Sequence, residues 1–287
     1  MIKVIFIALL LLIIFFVYYK KESFSANNNK KIALCFLIYD KINHEDIWYK
    51  WLKNVDKSNY NIYIHYKEDK KLKYFNNHKL SNCIPTDWCS ASIVEAHLLL
   101  LDQAIKDKNN RHFIFISNSC LPVKSFNYIY NNLNIDKSYF NKGIYMGNDL
   151  EPNIANKASQ WCILNRKHTE LLVNNKKTVR KTYKSFQNIN GCPDEYCIIS
   201  SLKSLNKDKD LIITDNLSVD ATTFTGWPDM KNYRKFDKSI LTKETPNSYS
   251  YICPEELEYL VKSKSLFGRK FEENCGGLDN LLKMINE

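Results

Sequence analysis

Asp194 and Glu195 stand directly behind a proline in Gly191-Cys192-Pro193-Asp194-Glu195-Tyr196, a stretch that reads as the opening of a helix. Proline suits the first helical position, and the helix dipole favours acidic side chains in the first turn. On residue type alone, complementing that dipole accounts for both carboxylates. A carboxylate so placed can also take a proton as a general base. Far downstream, Ser265-Leu266-Phe267-Gly268-Arg269-Lys270-Phe271 sets two adjacent cations between aromatic residues. Such a pair is a basic surface patch if solvated, but a partly buried cation needs an anionic partner, and phosphate is one. A base in one segment and a phosphate clamp in another suggest transfer from a nucleotide sugar.

A metal pattern is not evident. The Asp-x-Asp of Asp208-Lys209-Asp210 lies in a lysine-rich run ahead of a strand-like segment and reads as a solvated turn. His65-Tyr66-Lys67-Glu68 offers Lys67 where many nucleotide-sugar enzymes carry a metal-holding acid. His65, His97 and His168 have no spacing for a shared ion. The nine cysteines lack paired zinc spacing; they are many for a cytosolic protein and compatible with an oxidising lumen. Their odd number leaves at least one thiol unpaired, and no pairs are assigned. Cys35, inside an apolar run, reads as a core residue. Asn216-Leu217-Ser218 is the Asn-x-Ser/Thr acceptor triplet.

These groups need a frame to position them. Ile32 to Tyr39 is a continuous apolar run suited to a buried parallel strand. A helix near Glu45 to Val55 follows, with Ile47, Trp48, Trp51 and Leu52 on one face. Asn61 to His65 and His112 to Ser117 read as further strands. Between them, Ser92-x-x-Glu95 has the form of a capping box opening a helix to about Ile105. Pro122-Val123-Lys124-Ser125 turns the chain into a helix from Phe126, and Ala221 to Thr225 is strand-like. The alternation predicts an α/β sandwich with a mainly parallel sheet in its first half. Ligands bind at the carboxyl ends of such strands, so the loops after Tyr39, His65 and Ser117 are the expected donor rim.

With 287 residues, 45% apolar, the chain can bury one large core, and one domain is expected. The formal charge of +10 is scattered; it can attract nucleotide phosphates or acidic membranes. Nucleic acid is disfavoured, since no zinc-finger, RNP or basic-arm signature accompanies the charge. The apolar run Val4 to Tyr19, flanked by Lys3, Lys20 and Lys21, would span roughly 24 Å as a helix. Its bulk and the weak cleavage site at Ser23 to Ala26 favour an uncleaved anchor over a signal peptide. The flanking charges do not orient it. The reading is therefore a signal-anchor over 1–19, a polar stalk over 20–31 and a catalytic domain over 32–287.

In order along the chain, Trp88, Pro122-Val123-Lys124, Ser159-Gln160-Trp161, Pro193-Asp194-Glu195-Tyr196, Trp227 and Leu266-Phe267-Gly268-Arg269-Lys270-Phe271 resemble the core-2/I-branching β-1,6-N-acetylglucosaminyltransferase family, glycosyltransferase family 14. The likeness runs from about Ile32 to Phe271, and order and spacing carry it, since each motif is short. It implies a GT-A-like sandwich behind one transmembrane helix, in a type II Golgi protein with a lumenal catalytic domain. It further implies inverting, metal-independent transfer of N-acetylglucosamine from UDP-GlcNAc to a hydroxyl of a glycan or glycoprotein, with no cofactor beyond the donor. The resemblance makes Glu195 the base, with Asp194 orienting it. Lys270 then contacts the donor diphosphate. A family arginine is missing near Asn247 to Ser250, and Arg269 or Arg234 stands in for it. Trp227 stacks on the acceptor sugar, while His65, Trp88, Ser159 and Trp161 line the donor or acceptor cleft. UDP-xylose or UDP-glucose on the same scaffold, or an inactive membrane-anchored glycan binder, are the competing readings; release of UDP separates an enzyme from a binder.

Overall fold

In the computed structural model, residues 30–142, 157–185, 192–205, 208–215, 221–226 and 246–286 are described. The apolar run, Asn216, Trp227 and Arg234 lie outside them. Among the described residues no helix is long and apolar enough to cross a membrane.

Alternating apolar residues of β1 (Lys31–Ile38) feed two cores, one on each face of the sheet. Ile32, Leu34, Phe36 and Ile38 enter one core; Ala33 and Cys35 enter the other. A strand buried on both faces needs no polar alternation, which is why its sequence is apolar throughout. The helix α1 (Glu45–Leu52) then leads into β2 (Tyr60–Tyr66), and α2 (Ala91–Ala104) into β3 (Asn110–Ser117). Both β2 and β3 pair parallel with β1. After β4 (Leu121–Pro122) and α3 (Phe126–Asn132), β5 (Ser138–Lys142) and β6 (Ile163–Asn165) complete the interior, followed by α4 (Arg166–Asn174) and α5 (Lys176–Ser185). Next come α6 (Pro193–Ser204) and β7 (Leu211–Asp215).

The described sheet runs β2-β1-β3-β6-β5-β7. Its β1-β2-β3 half is parallel, as expected, but β6 lies antiparallel to both β3 and β5, so the sheet as a whole is mixed. Three further segments build a small second sheet: β4, β8 (Thr223–Thr225) and β10 (Phe267–Arg269) pair in the order β4-β10-β8. A third pairing joins β9 (Tyr249–Tyr251) to β11 (Phe271–Gly276), with α7 (Pro254–Lys262) between them in the chain and α8 (Leu281–Met284) at the end.

Trp48 holds these layers together. Fully buried, it packs edge-on against Phe36 and Trp51 and stacks with Phe267 at 6.1 Å, while its indole N–H donates to the Cys120 carbonyl. Trp51 donates likewise to the Lys124 carbonyl. One helix thus anchors β4 and β10, and truncating Trp48 should cost about 3–5 kcal/mol.

Two local expectations change. The capping box at Ser92 does not form: Ser90 caps α2 by accepting from the Ser92 N–H, and the Glu95 carboxylate instead binds Arg180 through two 2.8 Å bonds. A bidentate guanidinium contact outweighs a solvent-exposed capping bond. His65, expected on the donor rim, is fully buried beneath it, its Nε2 accepting from the Ile84 N–H.

Candidate active site

The helix α6 begins at Pro193, with Cys192 as its N-cap residue and no side-chain capping bond. Asp194 and Glu195 therefore occupy the first turn, and their surroundings separate them. Asp194 is only 6% exposed and its Oδ1 has no partner. Burial pushes its carboxyl up to about 7, and repulsion from Glu195 adds to this; its own backbone N–H, Lys157 and Arg269 pull it back. Glu195 is more open, and its carboxylate lies 3.1 Å from the Lys157 ammonium. The backbone fixes the same juncture, because the Ala158 N–H donates to the Glu195 carbonyl.

From there the chain leads to the cations. Ser159 donates its N–H to the Asn141 carbonyl, and its hydroxyl accepts from the Trp161 N–H. Trp161, nearly buried, presents its ring to Arg269, whose guanidinium lies 4.9 Å from the ring centroid. A partly buried cation over an indole gains on the order of 1 kcal/mol. The Arg269 Nε is nonetheless buried without a hydrogen-bond partner. Burial lowers the guanidinium pKa, and Cys120, Glu195 and Asp194 raise it again. Lys270 is half-buried, and both burial and the neighbouring Arg269 lower its pKa.

Two further buried polar atoms without partners lie on neighbouring segments. Arg269 pairs with Thr225 across β10 and β8, and the Asn247 N–H donates to the Gly226 carbonyl. The Thr225 hydroxyl and the Asn247 side-chain oxygen are both buried without partners. At Gly226 a Cβ would collide with the Tyr249 hydroxyl unless that side chain shifted. Buried polar groups are normally satisfied by protein or by ordered water, so these atoms keep hydrogen-bonding capacity for a ligand or for water. Asn141 fastens the frame, accepting from the Thr222 N–H and the Thr214 hydroxyl while donating to the Thr223 carbonyl.

At the ends of β1 and β2, Tyr39 donates to Glu68, Lys67 lies 5.5 Å over the Tyr39 ring, and Lys67 pairs with Asp87 at 3.1 Å. Asp87 precedes Trp88, which is 90% exposed, and Cys89, which is disulfide-bonded to Cys192. The buried His97 stacks on Phe115 and contacts Gln160 at 3.5 Å, and burial drives the pKa values of His65 and His97 down to about 4 and about 3. Asp210 is bound by Lys137 and Lys167 in a 3-10 turn. Among the described residues no group of three or more His, Cys, Asp or Glu could hold a metal ion.

Glu195, Asp194, Arg269, Trp161 and Ser159 are thus brought into one locality, Lys270 adjoins them, and Trp88 is tied to its edge. Lys157, Thr225, Asn247 and the cysteine pair were not singled out from the sequence. Lys157, just ahead of Ser159-Gln160-Trp161, and Asn247, at the place where a family arginine is missing, carried a positional hint; the others had no distinguishing spacing.

Glycosyltransferase BC10 of Oryza sativa subsp. japonica is 28% identical over 160 residues, covering 50% of this chain and 40% of the rice protein. Two solved structures are distant. A glycosyltransferase involved in the glycosylation of the major capsid of PBCV-1 gives a TM-score of 0.41 at 8% identity, over 83% of this chain and 92% of its own. The glycosyltransferase GlyE of Streptococcus pneumoniae TIGR4 gives 0.38 at 14%, over 67% and 48%. Likeness at that level carries no argument about function. Residues 32–252 match the Core-2/I-Branching enzyme family, a span from the first strand through the acid pair to Ile252. The chain belongs to that family of glycosyltransferases.

Proposed function

We propose that this protein is an inverting, metal-independent glycosyltransferase of GT-A-like fold that moves N-acetylglucosamine from UDP-GlcNAc to a glycan hydroxyl. The observation that carries the reading is Arg269: a cation stacked on Trp161, its Nε buried and unmatched, beside a first-turn carboxylate pair. A diphosphate supplies the missing acceptor oxygens. In the step itself, the acceptor oxygen attacks the anomeric carbon, its proton passes to the Glu195 carboxylate, and the bond to the diphosphate oxygen breaks with the electron pair leaving on UDP. Lys157 orients the Glu195 carboxylate and yields to the acceptor hydroxyl. Arg269 and Lys270 meet the charge that develops on the leaving group, where preorganised cations in a dry site act most strongly. Thr225 and Asn247 offer their unmatched hydroxyl and amide oxygen to donor hydroxyl or amide groups in this reading. Trp227 remains the family-based acceptor platform.

The Cys89–Cys192 disulfide supports an oxidising compartment, and with the apolar run over 4–19 it favours a type II, Golgi-like membrane protein with a lumenal catalytic part. The test is Glu195→Gln, which keeps shape and removes basicity. Transfer should fall by roughly 10²-fold or more with UDP binding retained, and near-normal turnover would return Glu195 to a helix-terminus role. Activity should persist in EDTA, and Lys270→Ala should lose donor affinity and turnover together. Abolition by EDTA with rescue by manganese would refute the metal-independent step.

A further inference from the structure

We infer that Trp88 is an acceptor-sugar platform, held in register with Glu195 by the Cys89–Cys192 disulfide. This deepens the reading of Glu195 as the base and rests on it. Trp48, Trp51 and Trp161 are at most 7% exposed, whereas Trp88 is 90% exposed. An indole kept out of the core offers a broad apolar face with a polar N–H at its edge, which suits the C–H face of a pyranose ringed by hydroxyls.

Placement sets it apart from a stray surface aromatic. The cysteine Cα atoms are 4.3 Å apart, and Glu195 is one turn beyond Cys192, its N–H donating to the Cys192 carbonyl. The Trp88 and Glu195 Cα atoms therefore lie within roughly 15 Å of each other, the span of a short oligosaccharide. The loop is also fixed. Lys67 pairs with Asp87, the Asp87 N–H donates to the Ser92 hydroxyl, and Cys89 has a φ of 59°, a left-handed conformation that L-residues seldom adopt. A preorganised loop loses little entropy on binding. Arg269 and Lys270 already serve the donor diphosphate. Trp88 lies instead across the disulfide, at the helix start where an acceptor must approach the base. The exposed Asp87 carboxylate beside it can accept from sugar hydroxyls.

The experiment measures glycan affinity by calorimetric titration in the Glu195→Gln background, which needs no turnover. The probes are soluble oligosaccharides ending in galactose, glucose or N-acetylhexosamine. Trp88→Ala should weaken the best binder by about fivefold or more, Trp88→Phe should restore part of it, and UDP affinity should stay within about twofold. Since the side chain is exposed, folding is not at stake. Cys89→Ser, with Trp88 intact, should weaken glycan binding as well. Unchanged affinity in Trp88→Ala, or no binding by any probe, overturns the platform. Unchanged affinity in Cys89→Ser overturns the part given to the disulfide. Failure of UDP binding or of wild-type transfer bears instead on the donor chemistry.

Discussion

Asp194→Asn should make the protein more stable at alkaline pH, although it removes an acid from the first turn of a helix. Two effects compete. The helix dipole favours a carboxylate at that position by about 0.3–1 kcal/mol. Burial opposes its ionisation more strongly, raising its pKa from 3.8 to about 7. At 1.36 kcal/mol per unit, that shift corresponds to roughly 4 kcal/mol. The sign follows from linkage: the folded state holds this proton more tightly than the unfolded chain does, so the stabilisation is complete below pH 3.8 and lost as pH rises through 7. Asparagine stays neutral and has no such dependence. Between pH 5 and pH 8, wild-type stability should fall by roughly 3 kcal/mol more than that of the variant. Urea unfolding at the two pH values, with slopes compared to confirm equal exposed surface, measures the difference. Titrating groups remote from the site contribute equally to both proteins and cancel. A variant less stable than wild type at pH 8 would refute the reasoning, and would mean that Arg269 and Lys157 hold Asp194 as an ionised partner.

The Cys89–Cys192 bridge closes a sequence separation of 103, for which chain entropy gives about 4.7 kcal/mol, so its removal by reduction or by paired serine substitution should cost about 2–5 kcal/mol. An unchanged urea midpoint under reducing conditions would rule that out. His65 and His97 act on the acid side. Their folded pKa values of about 4 and about 3 lie below the ordinary 6.5, so stability is complete above 6.5 and declines as pH falls toward 4. For His65 the loss is about 3 kcal/mol, and His65→Gln should flatten the profile in that window; the same slope in the variant would assign the acid loss elsewhere.

Much of the frame was legible because it is local. The apolar run at β1, the tryptophan face of α1, the turn into α3 and Pro193 at the start of α6 each follow from spacing and backbone preference within a dozen residues. The acid pair and the adjacent cations were likewise readable as residues able to do chemistry. What they would do was not. Whether Glu195 complements a dipole or meets an acceptor depends on Lys157 and on the half-open surface around it, and neither is encoded in Pro-Asp-Glu-Tyr. Arg269 reads as surface charge until Trp161, over a hundred residues earlier, covers it. The cysteine count predicted no pairing, since connectivity follows only when α2 and α6 bring position 89 beside 192. The same logic undid the capping box: Glu95 had a local partner on paper, and α5 delivered Arg180, a stronger one. His65 fared similarly, its place at the end of β2 evident but its burial decided by the loop carrying Ile84. Periodicity and turn chemistry are short-range and survive in one dimension. Burial, ion pairing and unmatched polar atoms depend on which distant segments share space, so only the tertiary structure decides them.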